Sequence, residues 1–278
     1  MQFRPYGDTG RVLSCLGVEV STNIKKQYQY NSILNRAFNR GINYIQYDYR
    51  VFRRSLNLKE GLDKAKDGTA IDIGVVVPPN VITIKKVLKL ATTQLDITTI
   101  DFLIIQGASS DSFLISKILE FLKKDSRVRH LIATVYDKSK DISKLENSEY
   151  LDGVNFTGDA VLKVLKNSYE YNSHKGTSIH NIYSGDKYKA DSSLLFIAKA
   201  LSVSDINMVT HKFINAKEID FVIDFVEKEE SYTGVELSNQ DILNHVENLE
   251  YYEVLKNQRS LYKKIKSIFR PKGRGFRV

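Results

Sequence analysis

Short apolar runs rich in β-branched residues alternate along the chain with longer segments whose apolar residues recur at helical spacing. Some short runs, such as IGVVV and FLII, are continuously apolar, which is typical of strands covered on both faces. The pattern predicts eight strands, at Val12–Val18, Ile42–Tyr47, Ala70–Val77, Ile100–Ile105, Arg129–Thr134, Gly153–Phe156, Ser178–Tyr183 and Ile206–Thr210. It predicts helices between and after them, at Tyr30–Asn39, Leu56–Lys66, Val81–Thr93, Asp111–Lys124, Ile142–Ser148, Asp159–Glu170, Asp191–Leu201 and Ala216–Glu227.

Eight strand-then-helix units without a long structureless insertion indicate parallel strands joined by helical crossovers. The predicted fold class is therefore α/β. A closed (β/α)8 barrel, the TIM barrel, fits the number of units and the length of 278 residues. A doubly wound open sheet is the structural alternative, because it is built from the same kind of unit.

The first residues of the chain allow a second interpretation. Met1–Tyr6 and Arg11–Leu16 can pair as a β-hairpin, because Asp8-Thr9-Gly10 between them supplies turn residues. Such a hairpin would plug the N-terminal end of the barrel. In that case Val12–Leu16 belongs to the hairpin, and the first barrel strand is short and lies just after it.

The chain changes character after Glu227. This change predicts a barrel over residues 1–230 and a helical, basic C-terminal extension over residues 231–278. From Lys256 to Val278 there are nine basic residues and no acidic one. The whole chain has a net charge of +8, so the remainder without these nine residues carries −1. The basicity therefore belongs to the tail, and any charge-driven binding would rest on it.

The basic tail has the pattern of an amphipathic helix, with Leu255, Tyr262, Ile265 and Phe269 at helical intervals among lysines and arginines. Its apolar stripe could dock on the barrel or on a protein partner. The same helix could lie on an anionic membrane surface, with its aromatic residues as anchors. Its charge could also bind nucleic acid. We rank the three partners in that order.

The composition favours a cytoplasmic protein, with peripheral membrane contact through the tail as an addition. No apolar run approaches the roughly 20 residues that span a bilayer. The first residues carry charges and glycines where a signal peptide would be apolar. The single cysteine, Cys15, excludes an internal disulfide and is interpreted as a small buried hydrophobic residue.

Five segments follow one another in the order and spacing of a known family. MQFRPYGDTGRVLSCLGVEV resembles the opening hairpin and first strand of the aldo-keto reductases, and AFNRGINYIQYDYRVF resembles their second strand and its loop. The fourth, fifth and sixth strands of the family resemble LDITTIDFLIIQG, RVRHLIATVYDKSKDISKL and LDGVNF. The match covers about Met1–Glu227. It implies a barrel whose site lies at the C-terminal ends of the strands.

The family reduces carbonyls with a nicotinamide cofactor. A tyrosine donates the proton, a lysine and an aspartate tune that tyrosine, and a histidine orients the carbonyl. The positions of aspartate, tyrosine, lysine and histidine are occupied here by side chains that cannot act as an acid or a base: Gln46, Val51, Val77 and Gln106. A slip of one residue would replace Val51 by Phe52, or Val77 by Val76, with the same outcome.

The cofactor-binding residues that the resemblance implies are partly replaced. The Ser-Asn pair after the fifth strand is Thr134-Val135, and the sixth-strand glutamine is Asn155. The phosphate loop after the eighth strand keeps a cation, Lys212, but has His211 where a glycine is expected. We therefore expect no cofactor, with NADP held by Thr134, Asn155 and Lys212 as the alternative.

Three arginines follow the second strand at the predicted barrel mouth. They form either an anion clamp or a solvated loop. Asp48 beside them is the first candidate for an acid in substitute chemistry, or else the partner of one arginine in a salt bridge. The predicted ligand-binding residues are Asp48, Arg50, Arg53, Arg54 and His211.

Two histidines, His180 and His211, fall in or just after the seventh and eighth strands and could be neighbours at the mouth. We expect no metal site there, because no carboxylates lie at metal-ligand spacing. Both residues are interpreted as ordinary hydrogen-bonded histidines.

These observations predict a pseudoenzyme, a barrel retained as a binding or scaffolding module without standard NADPH-dependent carbonyl reduction. Its partner would be a small anionic ligand or a protein. An enzyme repurposed for a phosphate- or sugar-type substrate is the second hypothesis. An atypical NAD(P)-dependent oxidoreductase is the third.

Overall fold

The computed structural model describes residues 1–65, 70–106, 113–135, 148–157, 174–181, 197, 200–201 and 203–231. Eight parallel strands form a closed barrel in chain order, with the last strand paired to the first. This confirms the predicted (β/α)8 barrel and excludes the open sheet. The strands are β3 (Leu16–Val20), β4 (Tyr44–Asp48), β5 (Asp72–Val77), β6 (Ile100–Ile105), β7 (Val128–Val135), β8 (Gly153–Phe156), β9 (Gly176–Asn181) and β10 (Met208–His211).

Helices pack around the barrel within the described ranges. They are α1 (Gln27–Asn39), α2 (Leu58–Ala65), α3 (Val81–Leu95), α4 (Phe113–Lys123) and α5 (Ala216–Ser231), with a 3-10 turn at Tyr49–Arg53 after β4. The third of these helices shows why the sequence forms them. The Asn80 side chain caps its start by accepting a hydrogen bond from the Thr83 amide, and Asp96 ends it in the left-handed conformation. Its buried face consists of residues at helical spacing: Ile84, Val87, Leu88, Ala91 and Leu95.

The N-terminal β-hairpin is confirmed. Strands β1 (Phe3–Pro5) and β2 (Val12–Ser14) pair antiparallel and form a sheet of their own. The continuous strand predicted over Val12–Val18 is therefore wrong, because the chain leaves the hairpin after Ser14 and enters the barrel at Leu16. The Ser14 hydroxyl donates a hydrogen bond to the Leu16 carbonyl across this break.

The other predicted strand boundaries agree with the structure to within two residues. Ile100–Ile105 and Gly153–Phe156 are reproduced without change. The helix predicted over 159–170 and the C-terminal extension beyond residue 231 lie outside the described residues. Most of the helices predicted over 142–148 and 191–201 also lie outside them.

The barrel interior is apolar in its N-terminal half. Tyr6, which follows β1, lies under the barrel and packs edge-on against Phe102, with ring centroids 5.3 Å apart. Tyr44 packs against the same ring from β4, at 5.7 Å. Gly17 and Gly74 make room for Tyr44, because a Cβ at either position would overlap its side chain. A large aromatic cluster therefore fills the space that smaller side chains would leave open.

An ion-pair cluster closes the N-terminal end. Arg11 of the hairpin lies 3.0 Å from Asp101 and 3.3 Å from Asp72, which start neighbouring strands. Burial, together with the charge of Asp101, raises the pKa of Asp72 above its usual range. This end of the barrel is therefore devoted to holding the hairpin in place, as expected of the stability face of such barrels.

Candidate functional site

The C-terminal half of the barrel interior is polar, in contrast to the apolar half beneath it. The strand register places Glu19 opposite Gln46 and His180 opposite Thr210. Lys212 follows β10 directly, two residues beyond Thr210, so it shares the inward direction of that residue. Five polar or charged side chains thus converge where ligands bind in barrels of this architecture.

Glu19 is the centre of this group. Its side chain is 5% exposed, and each of its two carboxylate oxygens lies beside a nitrogen group of another strand or loop. The Oε2 atom lies 3.0 Å from His180 Nε2, and the Oε1 atom lies 3.4 Å from Lys212 Nζ. Burial alone would raise the pKa of Glu19, but the electrostatic attraction of the nearby His180 and Lys212 side chains lowers it to about 2. Glu19 is therefore a carboxylate at any physiological pH.

His180 is held at both ring nitrogens. Its Nδ1 atom lies 3.2 Å from Gln46 Nε2 and 3.2 Å from the Thr210 hydroxyl. The Gln46 amide is oriented in turn by the Tyr44 hydroxyl, which lies 3.4 Å from its Oε1 atom. The roles of these two contacts depend on the tautomer of the ring: with a hydrogen on Nε2 alone, Nδ1 accepts from the Gln46 amide nitrogen, and with a hydrogen on Nδ1, that nitrogen donates to the Thr210 hydroxyl.

A second polar chain crosses the interior next to this group. The Asn155 side chain donates to the Thr134 hydroxyl over 3.3 Å and accepts from the Ser178 hydroxyl over 3.1 Å. Ser178 contacts the Tyr6 hydroxyl, also at 3.1 Å. Thr134 and Asn155, the predicted cofactor ligands, thus form a hydrogen bond with each other inside the barrel. Each is no more than 3% exposed.

The four positions aligned with the family's catalytic residues lie on or just after β4, β5 and β6. Gln46 belongs to the His180 network described above. Val51, in the 3-10 turn, and Val77, at the end of β5, are fully buried. Gln106 follows β6 and is partly exposed, and its backbone amide donates to the Val77 carbonyl over 2.8 Å.

Tyr47 and Tyr49 are the tyrosines nearest in sequence to the second-strand positions. The Tyr47 hydroxyl lies 2.8 Å from that of Tyr30, which donates to the Leu58 carbonyl. Burial raises the pKa of Tyr47 well beyond its usual value. Tyr49 lies at the mouth, and its ring contacts the guanidinium groups of Arg50 and Arg53.

The predicted arginine cluster divides into one paired and two exposed residues. The Arg50 guanidinium grips both carboxylate oxygens of Asp48, with Nε 2.9 Å from Oδ1, and the Arg50 backbone amide donates to the same carboxylate. Arg53 and Arg54 are exposed. The Asp48 carboxylate is therefore paired with Arg50 and stabilises the turn. Arg53 and Arg54 remain accessible at the mouth.

The structure separates the two histidines that were expected to be neighbours at the mouth. His211 is 2% exposed; its Nε2 atom lies 3.2 Å from Glu218 of α5, and its ring packs against Phe213. It thus faces the helix layer, whereas His180 on the adjacent strand faces the interior. This follows from the alternation of side chains along β10, which sends Thr210 inward and His211 outward.

Glu19 was missed by the sequence analysis, although it is the most buried acidic side chain of the site. Its signal was present in the run LGVEV, where a charged residue interrupts an otherwise apolar strand. A charge at such a position needs a partner of opposite charge. The partners, His180 and Lys212, lie more than 150 residues further along the chain, so only the closed barrel brings them together.

Solved structures with the same arrangement of strands and helices show what this fold is. A proposed aldo-keto reductase from Pseudomonas aeruginosa superposes with a TM-score of 0.62 at 16% sequence identity, covering 81% of this chain and 94% of that one. The fold is that of the aldo-keto reductases. The aldo-keto reductase AKR11C1 from Bacillus halodurans matches in its apo and holo forms with TM-scores of 0.59 and 0.60, at 14% identity, over 90% of this chain and 96% of that one.

At these identities the likeness concerns the fold alone. No family model and no curated protein matches the sequence. Within the described ranges, no helix is long and apolar enough to cross a membrane. The same ranges contain no group of three or more histidine, cysteine or acidic residues that could hold a metal ion.

Proposed function

We propose that this aldo-keto-reductase-like barrel does not reduce carbonyls through the catalytic residues of that family, and that it acts as a pseudoenzyme, a binding or scaffolding module. The observation that supports the proposal is the sequence resemblance, which aligns Gln46, Val51, Val77 and Gln106 with the family's catalytic residues. A reductase of this type needs a phenol whose pKa is pulled down by a neighbouring ammonium group. A valine at each of those two positions supplies neither.

The surroundings of these positions support the proposal. Val51 and Val77 are fully buried apolar side chains, so neither offers a polar group to a ligand. The Gln46 amide is already used by His180 and Tyr44. These side chains offer the reaction no phenol at the place where the family has one.

The ligand expected at the mouth is a small anion or an acidic segment of a protein. Arg53 and Arg54 are exposed on the turn after β4, and Arg50 is neutralised by Asp48. The basic tail over 256–278 adds a second surface for a protein partner or an anionic membrane. Its charge pattern favours these over nucleic acid.

A repurposed enzyme is the second candidate function, and the Glu19–His180–Lys212 group favours it. A buried carboxylate beside an imidazole and an ammonium group is an arrangement suited to proton transfer. An atypical NAD(P)-dependent oxidoreductase has less support. The amide of Asn155 is used by Thr134 and Ser178, and Lys212 is paired with Glu19.

A reduction assay tests the proposal. The purified chain is incubated with NADPH and a panel of aliphatic, aromatic and sugar aldehydes, and NADPH oxidation is followed at 340 nm beside an active aldo-keto reductase. We expect no oxidation above the rate without protein. Turnover of any aldehyde at a rate comparable with that of the active enzyme would overturn the proposal.

The anionic ligand is tested by a thermal-shift screen of phosphate and carboxylate compounds. We expect an anion that raises the melting temperature of the wild-type chain to lose this effect in the double variant Arg53→Ala, Arg54→Ala. The matched control is Lys86→Ala, Lys89→Ala, which removes two exposed cations from α3. Equal stabilisation of both double variants would contradict an anion site at the turn.

A further inference from the structure

We propose that Glu19, His180 and Lys212 form a proton-transfer site that binds the hydroxyl group of a small ligand at the C-terminal end of the barrel. The proposal rests on the second candidate function, a repurposed enzyme, because proton transfer is a catalytic role. It goes further by assigning a ligand class and a chemical role to three residues outside the family's catalytic positions.

The three groups come from β3, β9 and the residue that follows β10, and they are buried to different depths. The Glu19 side chain is 5% exposed, while those of His180 and Lys212 are 16% and 19% exposed. The carboxylate therefore lies at the bottom and the two nitrogen groups lie above it, nearer to solvent. Lys212 has three N–H donors, and Glu19 is its one partner among the described residues, which leaves donors for a ligand.

The contact between Glu19 and His180 is close but not aligned. Although Oε2 lies 3.0 Å from Nε2, this buried oxygen accepts no hydrogen bond from any described residue. The two side chains are therefore close enough to attract each other, but the angle at His180 Nε2 does not allow a hydrogen bond. The buried carboxylate oxygen therefore lacks a hydrogen bond although an imidazole nitrogen lies beside it.

A hydroxyl group is the ligand that can hydrogen-bond to Glu19 and to a nitrogen group beside it at the same time. Its hydrogen can be donated to Glu19 Oε2, and its oxygen can accept from Lys212 Nζ or from His180 Nε2. A carboxylate or phosphate group is negatively charged at neutral pH and would be repelled by Glu19 at short range. An ammonium group could bind to Glu19 but would be repelled by Lys212.

The proton transfer uses the imidazolium form of His180. The Nε2–H bond breaks as an O–H bond forms on a ligand alkoxide or carbonyl oxygen, and the imidazole becomes neutral with its remaining hydrogen on Nδ1. That hydrogen is donated to the Thr210 hydroxyl, which lies 3.2 Å away. In the reverse direction Nε2 takes the proton of a ligand hydroxyl. Glu19 stabilises the imidazolium, and Lys212 stabilises the oxygen anion.

Nuclear magnetic resonance of the full chain with 15N-labelled histidine tests this site, with xylitol as the hydroxyl-bearing probe. We expect xylitol to shift the His180 ring signals along a saturable curve and to change the proton distribution between Nδ1 and Nε2. The variant Glu19→Gln should weaken xylitol binding at least tenfold. Lys212→Met serves as a second variant, since its partly exposed side chain is easier to remove without unfolding.

The matched control is the outward-facing pair formed by His211 and Glu218. The two side chains are 3.2 Å apart but face α5. The His211 signals should not respond to xylitol, and Glu218→Gln should bind xylitol as wild type does.

Absence of a His180 response, or equal xylitol affinity in the wild type and both site variants, would overturn the inference. The proposed function would survive that result, because it is refuted by NADPH-dependent reduction instead.

Discussion

The carboxylate of Glu19 is expected to stabilise the folded barrel by about 3 kcal/mol at neutral pH. Its pKa is lowered from 4.5 to about 2 by His180 and Lys212, and a shift of this size corresponds to a stabilisation of that order. Removing one member of a buried ion pair typically costs about 3–5 kcal/mol. Lys212 is 19% exposed and can reach water, so the lower end of that range applies.

The substitution Glu19→Gln keeps the shape of the side chain and removes its charge. Because the folded-state pKa is lowered, the stabilisation is fully present above about pH 4.5 and is lost as the pH falls towards 2. Urea unfolding followed by far-UV circular dichroism, from pH 7 to pH 2.5, measures both effects. We expect the variant to unfold at lower urea at pH 7, and the difference from wild type to shrink with acidification.

The control for this experiment is Glu60→Gln. Glu60 is an exposed carboxylate that pairs with Lys64 on α2, and its removal should leave the urea midpoint nearly unchanged. The reasoning about Glu19 would be refuted if Glu19→Gln unfolded at the same urea concentration as wild type at pH 7. A loss of stability that did not depend on pH would also refute it, because that loss would come from packing and not from charge.

Three further substitutions test the surroundings of the site by urea unfolding. Gly74→Ala should destabilise the barrel by about 1–3 kcal/mol, because its Cβ overlaps the Tyr44 hydroxyl; an unchanged midpoint would contradict the packing described for that ring. Asp72→Asn should stabilise the chain at pH 7, since burial beside a second carboxylate raises the pKa of Asp72, and the gain should vanish as the pH falls through that raised pKa. Asp48→Asn should lower the free energy of unfolding by about 1 kcal/mol or less, because the variant loses a half-exposed ion pair with Arg50 but its asparagine can still cap the turn. A loss of several kcal/mol would assign Asp48 a larger role.

The architecture was accessible from the sequence because its signals are local. Continuous apolar strands such as FLII, helical spacing and cap residues are all read within a window of a few residues. The first strand was the exception. Its pattern runs without interruption from Val12 to Val18, and the break after Ser14 depends on a hydrogen bond between a side chain and the backbone, which no periodicity reports.

The polar interior was much less accessible, because it depends on contacts that are distant in the sequence. The inward direction of His180 and the outward direction of His211 depend on where β9 and β10 begin, and a change of one residue reverses such an assignment. The sequence analysis grouped His211 with the arginines at the mouth, whereas the structure places it against α5. Glu19 acquires its partners only when the last strand of the barrel closes on the first.

We expect this chain not to transfer hydride by the route of the aldo-keto reductases, and isotope transfer measures this reaction most directly. NADPH deuterated at C4 is incubated with the chain and a reactive aromatic aldehyde, and the alcohol fraction is analysed by mass spectrometry. We predict no deuterium in the alcohol beyond that formed without protein. Deuterated alcohol in amounts that exceed the protein present would contradict this expectation, because the chain would then reduce carbonyls catalytically although the sequence resemblance aligns Val51 and Val77 with the family's tyrosine and lysine.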